Sequence, residues 1–239
     1  MRASTEVGSV GNVYREAWRT YRAHPVALLL PGIVLFIVFG LPSAILNEVN
    51  TTDVDFAVER VALVLGVQTL GFTSSFLYYG YCEKVADQSR RQAEVSVRRA
   101  LSDTWHVLGM LITASIVAEL LVAVGLVLLI VPGVYLLCRF AVVPPASSFE
   151  HAWPRRALRR SWALTRGHFW FVAATAVVMI LGEQLASDLG EVLGAHVLSD
   201  HTLGRVLGDI AGDLLVGPFA GLVTAIAYFQ LSGSGAERP

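Results

Sequence analysis

Long uninterrupted apolar runs dominate the sequence. Residues 25–47, 61–82 and 214–236 contain no charged side chain. A helix needs about 20 mainly apolar residues to cross roughly 30 Å of hydrocarbon, because all of its backbone hydrogen bonds must form within the segment itself. Each of the three runs is long enough, so each predicts a transmembrane helix.

A fourth apolar run, residues 107–149, is too long for a single crossing. Its only charged residues are Glu119 and Arg139. Pro132 and Gly133 interrupt the run, and a Pro-Gly dipeptide is typical of a turn. The run therefore predicts a tight hairpin of two transmembrane helices that turns at these two residues.

Residues 168–185 form another short predicted span, and Glu183 begins a polar segment at its outer end. From there, leucine and valine alternate with acidic residues, and this predicts an outer interfacial helix over 183–213. The sequence thus predicts an all-α polytopic membrane protein with six transmembrane helices in a single domain, 1–239. The predicted spans are 25–47, 61–82, 107–130, 133–149, 168–185 and 214–234.

The few charged residues are distributed asymmetrically. Only 15% of residues are charged, against roughly a quarter in an average soluble domain. Most of the 18 lysines and arginines fall in segments 1–24, 83–106 and 150–167, whereas the opposite side would hold only Arg60 and Arg205. Basic loops stay in the cytoplasm because their translocation is disfavoured. The alternation predicts a cell-membrane protein with both termini in the cytoplasm.

Each basic segment has helical periodicity and precedes an odd-numbered span. The spacing from Trp18 to His24 recurs from Trp162 to His168, and a weaker third copy ends at His106. We predict three repeated units, each an amphipathic helix on the inner leaflet followed by a transmembrane hairpin. Membrane anchoring explains such helices without a specific ligand. The predicted contacts with anionic lipid head groups are Arg15, Arg19, Arg22, Arg98, Arg99, Arg155, Arg156, Arg159, Arg160 and Arg166.

Glu119 and Arg139 form a candidate intramembrane polar pair. Ionisable groups at this depth are costly, so they are functional candidates by default. From a turn at residues 132–133, Glu119 lies about 18 Å and Arg139 about 10 Å along their helices, at 1.5 Å per residue. The sequence leaves three interpretations open: a structural ion pair, snorkelling of Arg139 towards the outer head groups, and a substrate or proton pathway.

Three strings within residues 131–170 are distinctive: Val131-Pro132-Gly133-Val134-Tyr135, Arg139-Phe140-Ala141-Val142-Val143-Pro144-Pro145, and Ala157-Leu158-Arg159-Arg160-Ser161-Trp162-Ala163-Leu164-Thr165-Arg166-Gly167-His168-Phe169-Trp170. Together they resemble the membrane part of the glycerophosphoryl diester phosphodiesterase membrane-domain family. The resemblance implies a polytopic architecture of bacterial or archaeal type. Family members that carry the enzyme have a catalytic barrel of roughly 250 residues, for which this chain has no room.

The sequence contains no recognisable catalytic nucleophile, metal-ligand set or acid–base pair, so we predict neither an enzyme nor a cofactor. Our first hypothesis is an integral membrane protein that organises lipid or a membrane partner complex. The alternative is a small transporter or lipid-handling permease with a site near Glu119 and Arg139. The expected partners are the lipid bilayer, its anionic head groups and a membrane protein or second copy of the chain. We do not expect the protein to bind nucleic acid.

Reporter fusions test the predicted topology. Green fluorescent protein fused after Glu94 or at the C-terminus should fluoresce, because it folds only on the cytoplasmic side. Alkaline phosphatase inserted at Asp53 should be active, because it folds only outside. A phosphatase-active fusion at the C-terminus would contradict the even number of spans.

Overall fold

The computed structural model describes residues 9–35, 37–38, 58–91, 94–197 and 201–233. These residues form helices joined by short turns, and no strand occurs among them. The all-α prediction is confirmed. The helices are α1 Val10–Ala23, α2 Pro25–Leu35, α3 Val58–Arg90, α4 Val97–Leu128, α5 Ile130–Phe140, α6 Val143–Glu150, α7 Pro154–Thr165, α8 Phe169–Val197 and α9 His201–Gly233.

Several described helices are long and apolar enough to cross a membrane. Four segments meet this condition, Val97–Leu128, Ile130–Glu150, Phe169–Gly194 and Leu214–Gly233, and Pro25–Leu35 is a shorter apolar helix. The chain is therefore a multi-pass helical membrane protein. The end of the first predicted span and most side chains in the first half of the second lie outside the described residues, so the count of six stays a prediction.

The exposed apolar side chains mark a lipid-facing surface. Most of them fall in three stretches: 26–38 on α2, 116–135 on α4 and α5, and 177–193 on α8. Soluble proteins rarely expose contiguous apolar patches of this extent, whereas hydrocarbon covers them without cost. The exposed stretches therefore agree with the spans found by length and hydropathy.

The predicted hairpin over 107–149 forms, but its turn lies at Leu129. This residue has extended backbone (φ −161°, ψ 139°) between the end of α4 and the start of α5. Pro132 instead lies within the first turn of α5, where its missing N–H group has no helical partner to lose. The prediction of a turn at Pro132 and Gly133 was wrong for this reason.

Glycines allow α4 and α5 to approach closely beside the turn. A Cβ atom on Gly133 would lie 2.6 Å from the Cα atom of Leu126, and one on Gly125 would lie 3.0 Å from the Cα atom of Gly133. Membrane helices use such small residues to bring backbones into contact. Gly125 and Gly133 therefore allow the two helices to pack closely beside the turn, whereas the turn itself lies at Leu129.

The predicted span 133–149 is divided into two helices. α5 ends at Phe140, residues 141–142 form a turn, and α6 begins at Val143. Pro144 and Pro145 follow directly; neither can donate a backbone hydrogen bond, and each disfavours helical backbone at the residue before it. The prolines thus explain an elbow between α5 and α6.

The first and third predicted repeat units share one arrangement. α1 ends at Ala23 before α2 starts at Pro25, and α7 ends at Thr165 before α8 starts at Phe169. The second break includes Gly167 with φ of +89°, a backbone conformation that favours glycine. In the second unit α4 runs without a break past His106, since no glycine or proline lies between 97 and 108.

The polar segment 183–213 belongs to a long antiparallel pair of helices. α8 continues to Val197 and α9 begins at His201. A Cβ atom on Gly212 would lie 2.6 Å from the carbonyl oxygen of Ala186, so the two backbones are in close contact. The prediction of a separate outer interfacial helix was wrong, because the segment is divided between the end of α8 and the start of α9 and so continues two longer helices.

The largest buried cluster joins α1, α3 and α9. Val13 and Ala17 of α1 are fully buried with Val85 of α3 and with Leu222 and Val223 of α9. These residues fix the amphipathic helix α1 to the bundle.

A substitution at Gly133 tests the close approach of α4 and α5. We expect Gly133→Ala to destabilise the protein by about 1–3 kcal/mol, the usual cost of overpacking, and to lower the melting temperature measured in detergent. Gly109→Ala is the matched control, because nothing lies within 4 Å of a Cβ atom placed there. Equal melting temperatures for the two variants would argue against this contact.

Candidate functional site

Exposed arginines cover one face of each amphipathic helix. α1 buries Val13 and Ala17, and α7 buries Ala157, Ser161 and Leu164. The remaining faces carry the basic side chains. The predicted head-group arginines that are exposed are Arg15, Arg19, Arg22, Arg98, Arg99, Arg155, Arg156, Arg159 and Arg166.

Arg160 is the exception among the predicted head-group arginines. Its Nε atom lies 2.6 Å from Oε1 of Glu150, and the hydroxyl of Tyr228 donates to the same oxygen at 2.7 Å. These contacts connect α7, α6 and α9. The Arg160 guanidinium is therefore partly engaged within the protein, while 39% of its side-chain surface stays exposed, and its predicted head-group contact stays a prediction.

All five tryptophans of the chain are exposed. Between 38% and 82% of their surface is accessible, and each lies in a predicted basic segment or within three residues of one. Tryptophan is enriched at membrane–water interfaces because its ring is apolar and its N–H is polar. Among the described side chains, the large apolar ones exposed outside the three lipid-facing stretches are Leu101, Leu215 and the tryptophans Trp18, Trp105, Trp153, Trp162 and Trp170.

Arg139 lies against the amphipathic helix α7. Its guanidinium carbon is 4.9 Å from the ring centre of Tyr135 and 5.0 Å from that of Trp162. Its Nη2 atom donates to the Tyr135 hydroxyl at 2.7 Å, and its backbone oxygen accepts a hydrogen bond from Ser161. Two aromatic rings thus stabilise the cation by cation–π contact.

Glu119 lies in a different environment from Arg139. It lines an apolar groove between α4 and the elbow of α5 and α6, together with Ser115, Leu137 and Phe140. With the turn at Leu129, both charged residues lie about 15 Å along their helices from it, at 1.5 Å per residue. Glu119 and Arg139 are thus equally far from the turn, but their side chains face different neighbours.

The structure does not support the predicted ion pair. The two ion pairs found among the described residues are Arg91–Asp87 and Arg160–Glu150. Arg139 and its neighbour Tyr135, one helical turn away, face α7, whereas Leu137 and Phe140 line the Glu119 groove. The side chains of Glu119 and Arg139 therefore point to separate sites.

The end of the bundle that carries α1 and α7 contains a buried polar cluster that sequence reasoning missed. Glu83 is 1% exposed, and Nζ of Lys84 donates to the backbone oxygen of Ser148 at 2.8 Å while lying 5.0 Å from the Phe149 ring centre. Burial raises the pKa of the Glu83 carboxyl to about 8, and the Ser148 side chain and the Lys84 ammonium oppose this rise.

The sequence did contain a signal for this cluster. The apolar spacing continues past Cys82 at Val85 and Ala86, both buried, so the helix extends beyond the predicted span. The charges of Glu83 and Lys84 instead placed both residues in the predicted basic segment 83–106, outside the span.

Comparison with known proteins gives no match: no family model, curated protein or solved structure matches the chain. The resemblance noted for residues 131–170 therefore stays a prediction.

The raised pKa of Glu83 predicts a pH-dependent stability. The folded protein binds a proton at Glu83 more tightly than the unfolded chain, so this contribution is complete below pH 4.5 and is lost as the pH rises through about 8. Glu83→Gln should flatten the fall of melting temperature with pH across this window, because glutamine does not ionise. Glu94→Gln, at an exposed position, should leave the profile unchanged. Parallel profiles for the wild type and Glu83→Gln would refute the assignment.

Proposed function

We propose that this chain is a non-enzymatic protein of the cell membrane whose basic, tryptophan-bearing inner face binds anionic lipid head groups. Through that face it organises lipid or a membrane partner complex, with both termini in the cytoplasm. The observation that carries the proposal is the combination of exposed arginines and exposed tryptophans on helices that are each anchored to the bundle by one buried face.

Helix α7 shows this combination of exposed arginines and exposed tryptophans most clearly. Arg155, Arg156 and Arg159 are exposed on the helix, and the exposed Trp153 and Trp162 lie beside them in sequence. A surface lysine or arginine contributes about 1 kcal/mol of attraction to an anionic leaflet. Several such charges on one anchored helix select anionic over zwitterionic lipid.

Arg139 adds charge to the same region without belonging to α7. Its guanidinium contacts Trp162, and its Nε and Nη1 atoms are buried and make no hydrogen bond with the described residues. Arg139 therefore adds positive charge beside α7 without presenting these two N–H groups to a head group.

A second candidate function is a small transporter or lipid-handling permease. The observation that favours it is the apolar groove beside Glu119, which is open on one side and lies within a membrane-spanning hairpin. Arg139 faces away from this groove, so the candidate site contains Glu119 but not Arg139. The resemblance to the phosphodiesterase membrane-domain family agrees with either function and assigns no activity.

Charge neutralisation on α7 tests the first function. The triple variant Arg155→Gln, Arg156→Gln, Arg159→Gln should reduce the preference for anionic lipid by about fivefold for each charge, following about 1 kcal/mol per arginine. The measurement is the association constant of spin-labelled phosphatidylglycerol relative to phosphatidylcholine around the reconstituted protein.

The matched control replaces the same three arginines by lysine. It should keep most of the preference, because the positive charges remain. An unchanged preference in the glutamine variant would show that α7 does not select lipid by charge.

A further inference from the structure

The groove between α4 and the α5–α6 elbow has the size of a small-molecule site. Its volume is about 390 Å³, within the range of 300–1,000 Å³ common for ligand pockets. Small side chains on both walls, Ala118 and Ala123 on α4 and Ala141 at the elbow, leave this space. Pro144, which follows the break between α5 and α6, also lines it.

Two polar side chains interrupt an otherwise apolar lining. Glu119 is exposed in the groove, and Ser115, one helical turn earlier, is 2% exposed with an Oγ atom that has no hydrogen-bond partner among the described residues. A buried polar group without a partner is costly, so each such group needs an explanation. Both groups can accept a hydrogen bond from the same occupant.

The charge of the groove selects the kind of occupant. Glu119 is the sole charged residue among those that line it, and the nearest basic side chain along the α5 wall, Arg139, contacts Tyr135 and Trp162 instead. A carboxylate in apolar surroundings favours a cationic partner, since such pairs strengthen as the local dielectric constant falls.

We propose that this groove binds a lipophilic amine, a molecule with an apolar body and a protonated amino group. The ammonium group donates to the Glu119 carboxylate and to Ser115 Oγ, while the apolar body lies against Val122, Leu126 and Leu137. This site depends on the membrane placement of the hairpin and on the second candidate function, but not on head-group binding by α7.

The test uses the full chain reconstituted in phosphatidylcholine nanodiscs, which removes anionic lipid. The probe is a dodecylamine with a dansyl group on its far end, and its N-acetylated amide is the neutral control; binding is measured by dansyl fluorescence against empty nanodiscs. We expect saturable binding of the amine and at least about tenfold weaker binding to Glu119→Gln, the scale expected when one partner of a desolvated charge pair is removed. Glu94→Gln should bind as the wild type does.

A second variant keeps the proposal testable if Glu119→Gln does not fold. Ala123→Phe fills the groove from an exposed position and should abolish amine binding while Glu119 remains. The α7 glutamine triple variant should bind the amine normally, which separates this site from head-group binding.

Three outcomes would overturn the proposal. Equal binding of the amine and its neutral amide would show that the groove accepts any acyl chain. Unchanged amine binding to Glu119→Gln, or to Ala123→Phe, would show that the probe binds elsewhere. A change from dimer to monomer in Glu119→Gln, without loss of amine binding, would assign the groove to a second copy of the chain.

Discussion

The need to satisfy every backbone hydrogen bond inside hydrocarbon determines this structure. A chain that meets it with helices must place its loops and polar ends near the two surfaces. The hairpin at Leu129 shows how little irregular backbone is tolerated: a single extended residue separates α4 from α5. Contact between Gly125 and Gly133 then replaces side-chain packing just below the turn. Apolar side chains can face outward, because lipid and not water surrounds them.

At the end of the bundle that carries α1 and α7, polar contacts join the helices beside the apolar packing. Glu150 accepts from both Arg160 and Tyr228, and Lys84 donates to Ser148, so α3, α6, α7 and α9 are joined by charged or hydroxyl groups. The arginines of α7 are divided between two environments. Arg160 bonds Glu150 and so helps to hold the helix against α6, whereas Arg155, Arg156 and Arg159 are exposed.

The sequence predicted the features that depend on apolar length. The all-α class and the hairpin over 107–149 followed from uninterrupted runs and from the cost of exposed backbone. The position of the turn at Leu129 did not follow, because it depends on contacts such as Gly133 with Leu126 that a one-dimensional pattern does not contain. The elbow before Pro144 and the continuation of α3 past Cys82 have local signals, the two prolines and the apolar spacing through Val85 and Ala86, that apolar length alone leaves out. The same limit applied to Glu119 and Arg139. Their spacing in the sequence predicted how far each lies along its helix from the turn, but not which neighbours each side chain faces.

The separation of Glu119 from Arg139 changes what each can do. Two opposite charges at one level in a medium of low dielectric constant would attract strongly, and a pair would neutralise both. The fold instead stabilises Arg139 with the rings of Tyr135 and Trp162 beside the basic helix α7, and it leaves Glu119 in an apolar groove. Neither charge therefore cancels the other. The rotation of α5 about its own axis, which directs residue 139 to α7 and residues 137 and 140 to the groove, separates two charges that the sequence placed in one candidate site.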